Sequence, residues 1–370
     1  MQEEGLHHRG GEVMAVIEVR VETGRPYKVL IGWDLLRGIG ENLSPLHGPC
    51  SAALVTDETV DLLYGDTAAA SLARAGFRVV RHAIPPGEGS KTMGRLNLLL
   101  ESLGEEGFTR TDLIVALGGG VVGDLAGFAA AVYERGIPYI QVPTTLLAAV
   151  DSSVGGKTGV NLSAGKNLAG AFRQPELVLC DCSTFLSLPK EELASGGAEC
   201  LKYGMLGDEG LFRRLEEGLP AIWEDVVASC VLRKAEIVGR DETDLGPRRL
   251  LNFGHTVGHA AERLSGYTLR HGEAVGLGML VITRAAEAMG LCAPGTAPRI
   301  ASALGAMGLP TACPYSAERL AEAALADKKR RGDEITLVMP RRVGECFLHP
   351  VGVGELPKIL SLGVEGAPCG

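Results

Sequence analysis

The feature that most constrains the fold of this chain is a regular alternation of short apolar runs and helical patterns up to Pro189. Runs rich in β-branched residues predict strands at 13–19, 27–31, 53–56, 78–84, 113–117, 139–142 and 177–180. Helical patterns lie between several of them, at 60–75, 91–105 and 124–133. Such alternation is typical of a mostly parallel sheet with helices on both faces.

The pattern changes after Pro189. Helical spacing, punctuated by Gly, Pro or Asp, predicts helices at 191–205, 221–240, 256–264, 273–289, 298–307 and 316–326. Only 335–339 and 346–349 have the pattern of strands, and we expect them to form one hairpin. A chain of 370 residues is too long for one core. We therefore expect an α/β, Rossmann-like N-terminal domain at 1–188 and a mainly α-helical C-terminal domain at 189–370, with a ligand site in the crevice between them.

Charge and cysteine usage exclude several classes of protein. The formal net charge is −9, from 36 basic and 45 acidic residues, so the chain has no overall basic surface for nucleic acid. Nine scattered cysteines without a CxxC pair indicate reduced thiols in a cytoplasmic protein. The first residues lack the apolar core of a signal peptide, and we expect His7 and His8 in a solvated tail. The longest apolar run, 274–283, is half the length of a membrane span, which needs about 20 residues.

A glycine-rich turn in the first half indicates a nucleotide site. Gly118, Gly120 and Gly123 fit G-x-G-x-x-G, directly after a predicted strand and before the helix that Asp124 opens. Such a turn brings backbone N–H groups and a helix N-terminus to a pyrophosphate. The acidic residue expected about twenty positions later is missing. A turn that packs helix on strand without a ligand is the alternative.

A second glycine-rich segment, GGKT at 155–158, is not a P-loop, because Asp151 occupies the place of its first glycine. Lys157, Lys166 and Asn167 nevertheless lie beside glycine turns, where they suit phosphate contacts. Solvated loop lysines are the alternative.

Three histidines and a glutamate in the second half predict a metal site. His255 and His259 are four residues apart and share one helical face, while Glu199 lies in GGAECLKYG and His271 in HGEAVGLGM. Catalytic zinc commonly takes three such ligands and keeps a fourth position open. Any one of these histidines alone would more often be a hydrogen-bonded core residue. The spacing does not say which three of the four bind the ion.

Together, six segments resemble the 3-dehydroquinate synthase family of sugar-phosphate cyclases, in family order. They are PPGEGSK, GGGVVGDLAGF, VPTTLLAAVDSSVGGKTGVN, GGAECLKYG, LNFGHTVGHAAE and HGEAVGLGM. The resemblance runs from about Asp57 to the DKKRRG segment at 327–332. The N-terminal extension and the C-terminal tail after about Pro350 have no clear counterpart.

The resemblance implies a role for each matching residue. The ligands of zinc or cobalt would be Glu199, His255 and His271. NAD would be bound by Asp57, Glu88, Lys91, Gly120, Val121, Val122, Gly123, Asp124, Thr144, Thr145, Asp151, Lys157, Lys166, Thr184, Phe185, Leu186 and Ser187. The substrate would be bound by Arg135, Asp151, Lys157, Asn167, Lys202, Lys234, Arg248, Asn252, His259 and Lys328. Of these, Lys157, Lys202, Asn252 and His259 would be catalytic. In this family the counterpart of Arg135 crosses a dimer interface, so a homodimer is expected.

The family's reaction converts 3-deoxy-D-arabino-heptulosonate 7-phosphate into 3-dehydroquinate and phosphate, in the shikimate pathway to aromatic amino acids. NAD transiently oxidises an alcohol, phosphate leaves by β-elimination, the ketone is reduced again, and an intramolecular aldol reaction closes the ring. On this interpretation Lys234 and Arg248 pair with the substrate carboxylate.

Three alternatives remain at this point. A sister cyclase such as 2-deoxy-scyllo-inosose synthase would share NAD, metal and phosphate contacts but would act on a substrate without a carboxylate. An oxidoreductase of the glycerol dehydrogenase type would share the two-domain plan but would have little use for the lysines of GGKTGVN and SAGKN. A non-catalytic NAD- or metal-binding regulator would bind without turnover.

Overall fold

The computed structural model describes residues 4–9, 12–326 and 333–364. Its strands are β1 (Glu4–Arg9), β2 (Glu12–Val21), β3 (Tyr27–Gly32), β4 (Ser51–Asp57), β5 (Arg78–Ile84), β6 (Leu113–Gly118), β7 (Tyr139–Pro143), β8 (Lys157–Leu162), β9 (Gly165–Phe172), β10 (Leu177–Asp181), β11 (Glu334–Arg342) and β12 (Glu345–Gly352). Its α-helices are α1 (Ile39–Leu43), α2 (Glu58–Val60), α3 (Asp66–Arg74), α4 (Met93–Glu105), α5 (Gly120–Val132), α6 (Lys190–Gly207), α7 (Glu209–Glu216), α8 (Glu224–Arg240), α9 (His255–Leu264), α10 (His271–Ala288), α11 (Thr296–Ala306), α12 (Ala317–Leu325) and α13 (Leu356–Val364).

The first of two compact units contains the chain up to Leu188 together with Trp223–Thr243. It is built on an eight-stranded sheet in the order β1-β2-β3-β10-β7-β6-β4-β5. Neighbouring strands from β3 to β5 are parallel, whereas β1 and β2 add an antiparallel edge. Every residue of β6, β7 and β10 is buried, which explains their continuous apolar runs. The predicted α/β fold with a mostly parallel sheet is confirmed.

The second unit comprises Pro189–Ile222 and the chain from Asp244 onward. Its described residues form α6, α7 and α9–α13 together with the hairpin β11–β12, so the prediction of a mainly helical C-terminal region is confirmed. Among the described residues, no helix is long and apolar enough to cross a membrane.

The helix α8 shows where the proposed division at 188 differs from the structure. The segment Trp223–Thr243, which we assigned to the C-terminal domain, belongs to the first unit. One face of α8, including Val227, Val231 and Val238, is buried, and the helix packs on β2 and β3. Helical spacing identifies an amphipathic helix but not the surface that its apolar face covers.

Several elements were not predicted. The expected solvated tail contains β1 at Glu4–Arg9, paired with β2. The segment of Lys157, Lys166 and Asn167 is a two-stranded antiparallel hairpin, β8–β9, which its glycines and polar residues concealed. The helices α7 and α13 were also missed.

Candidate active site

Most of the residues expected to bind NAD follow the carboxyl ends of parallel strands, whereas Lys157 and Lys166 lie on the hairpin β8–β9. Asp57 ends β4, Glu88 and Lys91 follow β5, and the stretch 120–124 follows β6. Six others come after β7 and β10, namely Thr144, Thr145, Thr184, Phe185, Leu186 and Ser187. Because the carboxyl ends of parallel strands meet at one edge of a sheet, the fold gathers these segments there. From β4 the chain continues to β5 on one side of the sheet, and from β6 it continues to β7 on the other side. The direction of the connections therefore reverses between the neighbouring strands β4 and β6, and open α/β sheets bind ligands at such a point.

The turn between β6 and α5 fits a pyrophosphate group. Gly119 caps α5 without a side-chain hydrogen bond, so the first N–H groups of this 13-residue helix have no capping side chain. A Cβ on Gly118 would lie 2.7 Å from Val122, and one on Gly123 would lie 2.5 Å from Gln141 Oε1. Those two glycines therefore let helix and sheet approach. Within the described chain, the buried Thr144 hydroxyl has no hydrogen-bond partner, which leaves it for a ligand.

Some side chains at this edge have structural roles. The Asp57 carboxylate accepts hydrogen bonds from the backbone N–H groups of Thr59 and Val60 and so caps α2. Val122 is buried in the core, and the Phe185 ring packs edge-on against Trp223 at 6.1 Å. A ligand would meet Val122 and Phe185 through their backbone, whereas Leu186 is 76% exposed.

A polar network joins the segment after β5 to the hairpin. The Lys91 ammonium donates to the carboxylate of Asp124 and to Asn167 Oδ1. Asn161 donates to Glu88 Oε1 at 2.6 Å, and its Oδ1 accepts from the Asn167 backbone N–H at 2.9 Å. Burial raises the pKa of Asp124, and Lys91 opposes that rise. The motifs did not single out Asn161, although it links two predicted ligand contacts.

The other predicted cations of the first unit have different environments. Lys234 is buried and donates to the backbone oxygen and the carboxylate of Asp151. Lys157, at the start of β8, is exposed, and Lys166 is half-buried. Arg135 is exposed, and both it and Glu134 have left-handed backbone conformations, with φ of 63° and 48°. Two successive non-glycine residues in this region carry backbone strain.

The second unit brings together the predicted metal ligands. Nε2 of His255 lies 3.5 Å and Nε2 of His271 lies 3.3 Å from Glu199 Oε1. The three ligand atoms all lie within 4.8 Å of one another, and Glu199 is fully buried. Two imidazoles and one carboxylate are a donor set that suits zinc or cobalt.

Close helix packing positions these side chains. A Cβ on Gly272 would lie 2.0 Å from the Ser195 carbonyl oxygen, and a Cβ on Gly278 would lie 1.9 Å from that of Gly254. The absence of side chains therefore lets α10 approach both α6 and the start of α9. Ser195 lies one helical turn before Glu199, and Gly272 follows His271. The same contact thus aligns a carboxylate with an imidazole.

The electrostatics of this cluster favour a cation. Burial lowers the pKa of His255 to about 3, so its imidazole is neutral and has a free lone pair. Burial also lowers the pKa of His271, but the nearby carboxylates of Glu199 and Glu262 outweigh burial and raise it to about 10. In the ion-free protein His271 therefore carries the positive charge that a divalent ion would supply.

The other oxygen of Glu199 has a different partner. Lys202 Nζ lies 2.5 Å from Glu199 Oε2, and both side chains are buried. Lys202, expected to contact substrate, is an ion-pair partner of the predicted ligand here. Arg248 is only 2% exposed, and Asn252 ends the same short 3₁₀ segment, Pro247–Asn252. Lys328 lies outside the described residues.

His259 belongs to a second group that shares His271. The ligand atoms of His259, Glu262 and His271 lie within 4.8 Å of one another. Glu262, not predicted from the sequence, is buried one turn after His259. Its position at i+3 on the same helix was the available signal.

Solved structures with this architecture include two sugar-phosphate cyclases. A 2-deoxy-scyllo-inosose synthase, crystallised with carbaglucose-6-phosphate, NAD⁺ and Co²⁺, has a TM-score of 0.84 and is 25% identical, with 94% of this chain and 100% of that chain covered. A 2-epi-5-epi-valiolone synthase from Streptomyces hygroscopicus, with NAD⁺ and Zn²⁺ bound, has a TM-score of 0.83 and is 28% identical, with 92% and 97% covered. The fold is that of the sugar-phosphate cyclases.

The family models are more specific. Residues 81–195 match the N-terminal part of 3-dehydroquinate synthase, and residues 196–330 match its C-terminal part. A 3-dehydroquinate synthase of Caulobacter vibrioides is 47% identical over 340 residues, which cover 88% of this chain and 92% of that protein. The chain belongs to the 3-dehydroquinate synthase family, as the six motifs predicted.

Proposed function

We propose that this protein is an NAD- and metal-dependent carbon–oxygen lyase that converts 3-deoxy-D-arabino-heptulosonate 7-phosphate into 3-dehydroquinate and phosphate. The observation that carries the proposal is one chain with two sites: a cluster of Glu199, His255 and His271, and a glycine turn at the switch point of a parallel sheet. Family membership at 47% identity supports this reaction.

Each bound group supplies one kind of chemistry. NAD supplies reversible hydride transfer, which acidifies the C–H beside the oxidised carbon and allows phosphate to leave. A zinc or cobalt ion held by Glu199, His255 and His271 supplies a Lewis acid.

The residues of the chain bind, orient and move protons. We assign Lys157, Lys166 and Asn167, on the hairpin β8–β9, to the substrate phosphate and the nicotinamide side of the cofactor. The buried Arg248 suits a fork-like contact with the substrate carboxylate. His259 and Asn252 are our candidates for holding and relaying protons at the substrate hydroxyls. Lys202 keeps Glu199 in place through its ion pair.

A comparison of two substrates distinguishes this proposal from a sister cyclase. The purified protein is given the seven-carbon keto-acid phosphate or glucose 6-phosphate, and inorganic phosphate and NADH absorbance are followed. We expect phosphate release only from the keto acid, without net NADH, since the cofactor is regenerated in each turnover. Turnover of only glucose 6-phosphate would refute the assignment, and NADH produced in proportion to substrate would indicate a dehydrogenase.

We further propose a homodimer in which Arg135 contacts the substrate phosphate in the partner subunit's active site. The exposure of Arg135 and the strained backbone at 134–135 support this role, because strain is retained where surrounding structure or function requires it. A cytoplasmic location is part of the proposal and agrees with free thiols at all eight described cysteines.

A further inference from the structure

The second nitrogen of each metal-ligating imidazole also has a defined environment. His255 directs Nε2 toward Glu199, and its Nδ1 lies 3.1 Å from the Phe253 carbonyl oxygen. That carbonyl accepts only from a protonated Nδ1, so it selects the form whose Nε2 lone pair is available to an ion.

His271 has the corresponding arrangement with a charged partner. Its Nε2 lies 3.3 Å from Glu199 Oε1, and its Nδ1 lies 3.6 Å from Glu262 Oε2. At 3.6 Å the contact is within ion-pair range and a few tenths of an ångström beyond a hydrogen bond. Glu262 is 5% exposed, on α9, whereas His271 begins α10. The contact therefore ties the two helices together at the site.

We propose that Glu262 is a positioning residue that keeps His271 protonated at Nδ1 and directs its Nε2 toward the divalent ion. A carboxylate behind a ligating imidazole fixes the orientation of the ring and makes it a stronger donor. Because a neutral imidazole has one lone pair, His271 serves one ion only. Glu262 is then the partner of a ligand, and the group of His259, Glu262 and His271 is not a second metal site.

The inference rests on the proposed metal site, and metal affinity tests it without turnover. Metal-free wild type, Glu262→Ala and Glu262→Gln are titrated with Zn²⁺ against a chromophoric chelator, and bound ions per chain are counted. Loss of such a partner typically costs about tenfold to a hundredfold in metal affinity. We expect that loss for Glu262→Ala. Glu262→Gln should remain within about fivefold of wild type, because its amide oxygen is also an acceptor that Nδ1–H can face.

Glu287→Ala is the matched control. Glu287 is a half-buried carboxylate near the other end of α10, where it accepts a hydrogen bond from the Ala297 backbone N–H. Its replacement therefore removes a comparable helix carboxylate that is distant from the metal ligands. Its Zn²⁺ affinity should equal that of wild type. Nitrogen-15 spectra of the histidine-labelled, Zn²⁺-loaded proteins should show His271 protonated at Nδ1 in both wild type and Glu262→Gln. This measurement does not need Glu262→Ala, so it can be made even if that variant does not fold.

The outcomes separate the two levels of the proposal. Wild type that binds no divalent ion would refute the proposed function. One ion per chain with equal affinity in all variants, or His271 bound through Nδ1, would overturn the role of Glu262 alone. Two ions in wild type and one in Glu262→Ala would make Glu262 a ligand instead.

Discussion

Glu199 shows, at the scale of single residues, how one buried carboxylate has two kinds of partner. Its Oε1 is near two imidazoles, and its Oε2 pairs with Lys202. Without Lys202, Glu199 in the ion-free protein would keep only the charged imidazole of His271 as a cationic partner. Leaving a buried charge wholly uncompensated costs about 3–5 kcal/mol, which is the upper bound for this loss. Lys202 therefore stabilises the ion-free protein in addition to any contact with substrate.

We predict that Lys202→Met makes folding depend more strongly on the metal. The ion-free variant should unfold at a lower temperature than wild type, and saturating Zn²⁺ should raise its midpoint by more, because the ion neutralises Glu199. Differential scanning calorimetry with and without Zn²⁺ measures both shifts. Lys190→Met, an exposed residue at the start of the same helix, should respond to Zn²⁺ as wild type does. Equal Zn²⁺ shifts in Lys202→Met and wild type would contradict the role given to this pair.

A pH-dependent prediction concerns Asp112. Its Oδ1 accepts from the Ser51 backbone N–H at 2.7 Å, and its Oδ2 accepts from that of Thr109 at 2.6 Å and from the Thr109 hydroxyl at 2.8 Å. Burial raises the pKa of Asp112, but these hydrogen bonds outweigh burial and lower it below its ordinary value. A depressed folded-state pKa stabilises the protein above the unfolded-state pKa, about 3.9, and that contribution is lost as pH falls through the folded-state pKa.

Asp112→Asn should therefore lower the unfolding midpoint at pH 7, and its deficit should stay constant down to about pH 4 and shrink only below it. Thermal unfolding between pH 7 and pH 3 measures this. The exposed Glu105→Gln provides the comparison and should differ little from wild type at pH 7. A deficit that grows as the pH falls from 7 to 4 would show instead that the pKa of Asp112 is raised in the folded protein.

Side-chain chemistry in the sequence was enough to predict which ligand-type side chains come together, but not what surrounds them. Glu199, His255 and His271 come together, while spacing alone left His259 as an equal candidate. Glu262 and Asn161 were missed because their roles depend on neighbours on other elements. Glu262 contacts the start of the next helix, and Asn161 joins Glu88 to the turn at Asn167.

At the scale of helices and strands, the close packing of α9 on α10 determines where the predicted metal ligands lie. A Cβ on Gly278 would lie 1.9 Å from the Gly254 carbonyl oxygen, so Gly278→Ala must push α9 and α10 apart. We expect it to destabilise the protein by about 1–3 kcal/mol, as overpacking does. Zn²⁺ affinity should fall as well, since His255 and His271 lie on these two helices.

Gly305→Ala is the matched control for this substitution. Gly305 lies in α11 of the same unit, and a Cβ there meets nothing within 4 Å. Alanine in a helix normally adds about 0.5–1 kcal/mol of stability relative to glycine. Chemical denaturation and a Zn²⁺ titration compare the two variants. Unchanged stability and Zn²⁺ binding in Gly278→Ala would refute the packing argument.

The strands and helices themselves were largely predictable because their patterns are local. The six parallel strands of the sheet begin within two residues of the predicted positions, since all of them except β5 are mainly apolar runs. The hairpin β8–β9 was not predicted, because Gly159 and Gly170 are paired where backbones approach closely and apolar residues do not alternate. Glycine pairing of this kind requires knowledge of the partner strand.

At the scale of the whole molecule, each of the two units contributes one site to the proposed reaction. The boundary at Leu188 was foreseeable from the change of pattern, whereas the return of α8 to the first unit was not. An amphipathic face specifies burial, and the buried valines of α8 carry no sequence signal for the sheet they cover.

The proposed dimer leads to a complementation prediction. Arg135→Ala and Lys157→Ala should each lose most activity, because both residues are assigned to the substrate phosphate. If Arg135 acts in the partner's site, mixed dimers contain one site with both residues intact. The two variants are unfolded, mixed in equal amounts and refolded together, so that half of the dimers are mixed and contain one complete site each. The mixture should then reach up to about a quarter of wild-type activity. Mixtures no more active than the separate variants would place Arg135 in its own chain's site or outside the reaction.

A stoichiometric metal titration of activity tests the central claim most directly. Metal-stripped protein with saturating NAD and the seven-carbon keto-acid phosphate is given Zn²⁺ in fractions of an equivalent, and phosphate release is measured. The account predicts that the rate rises linearly and reaches its plateau at one ion per chain. Full activity without metal, or a rate that rises until two ions are bound, would contradict it.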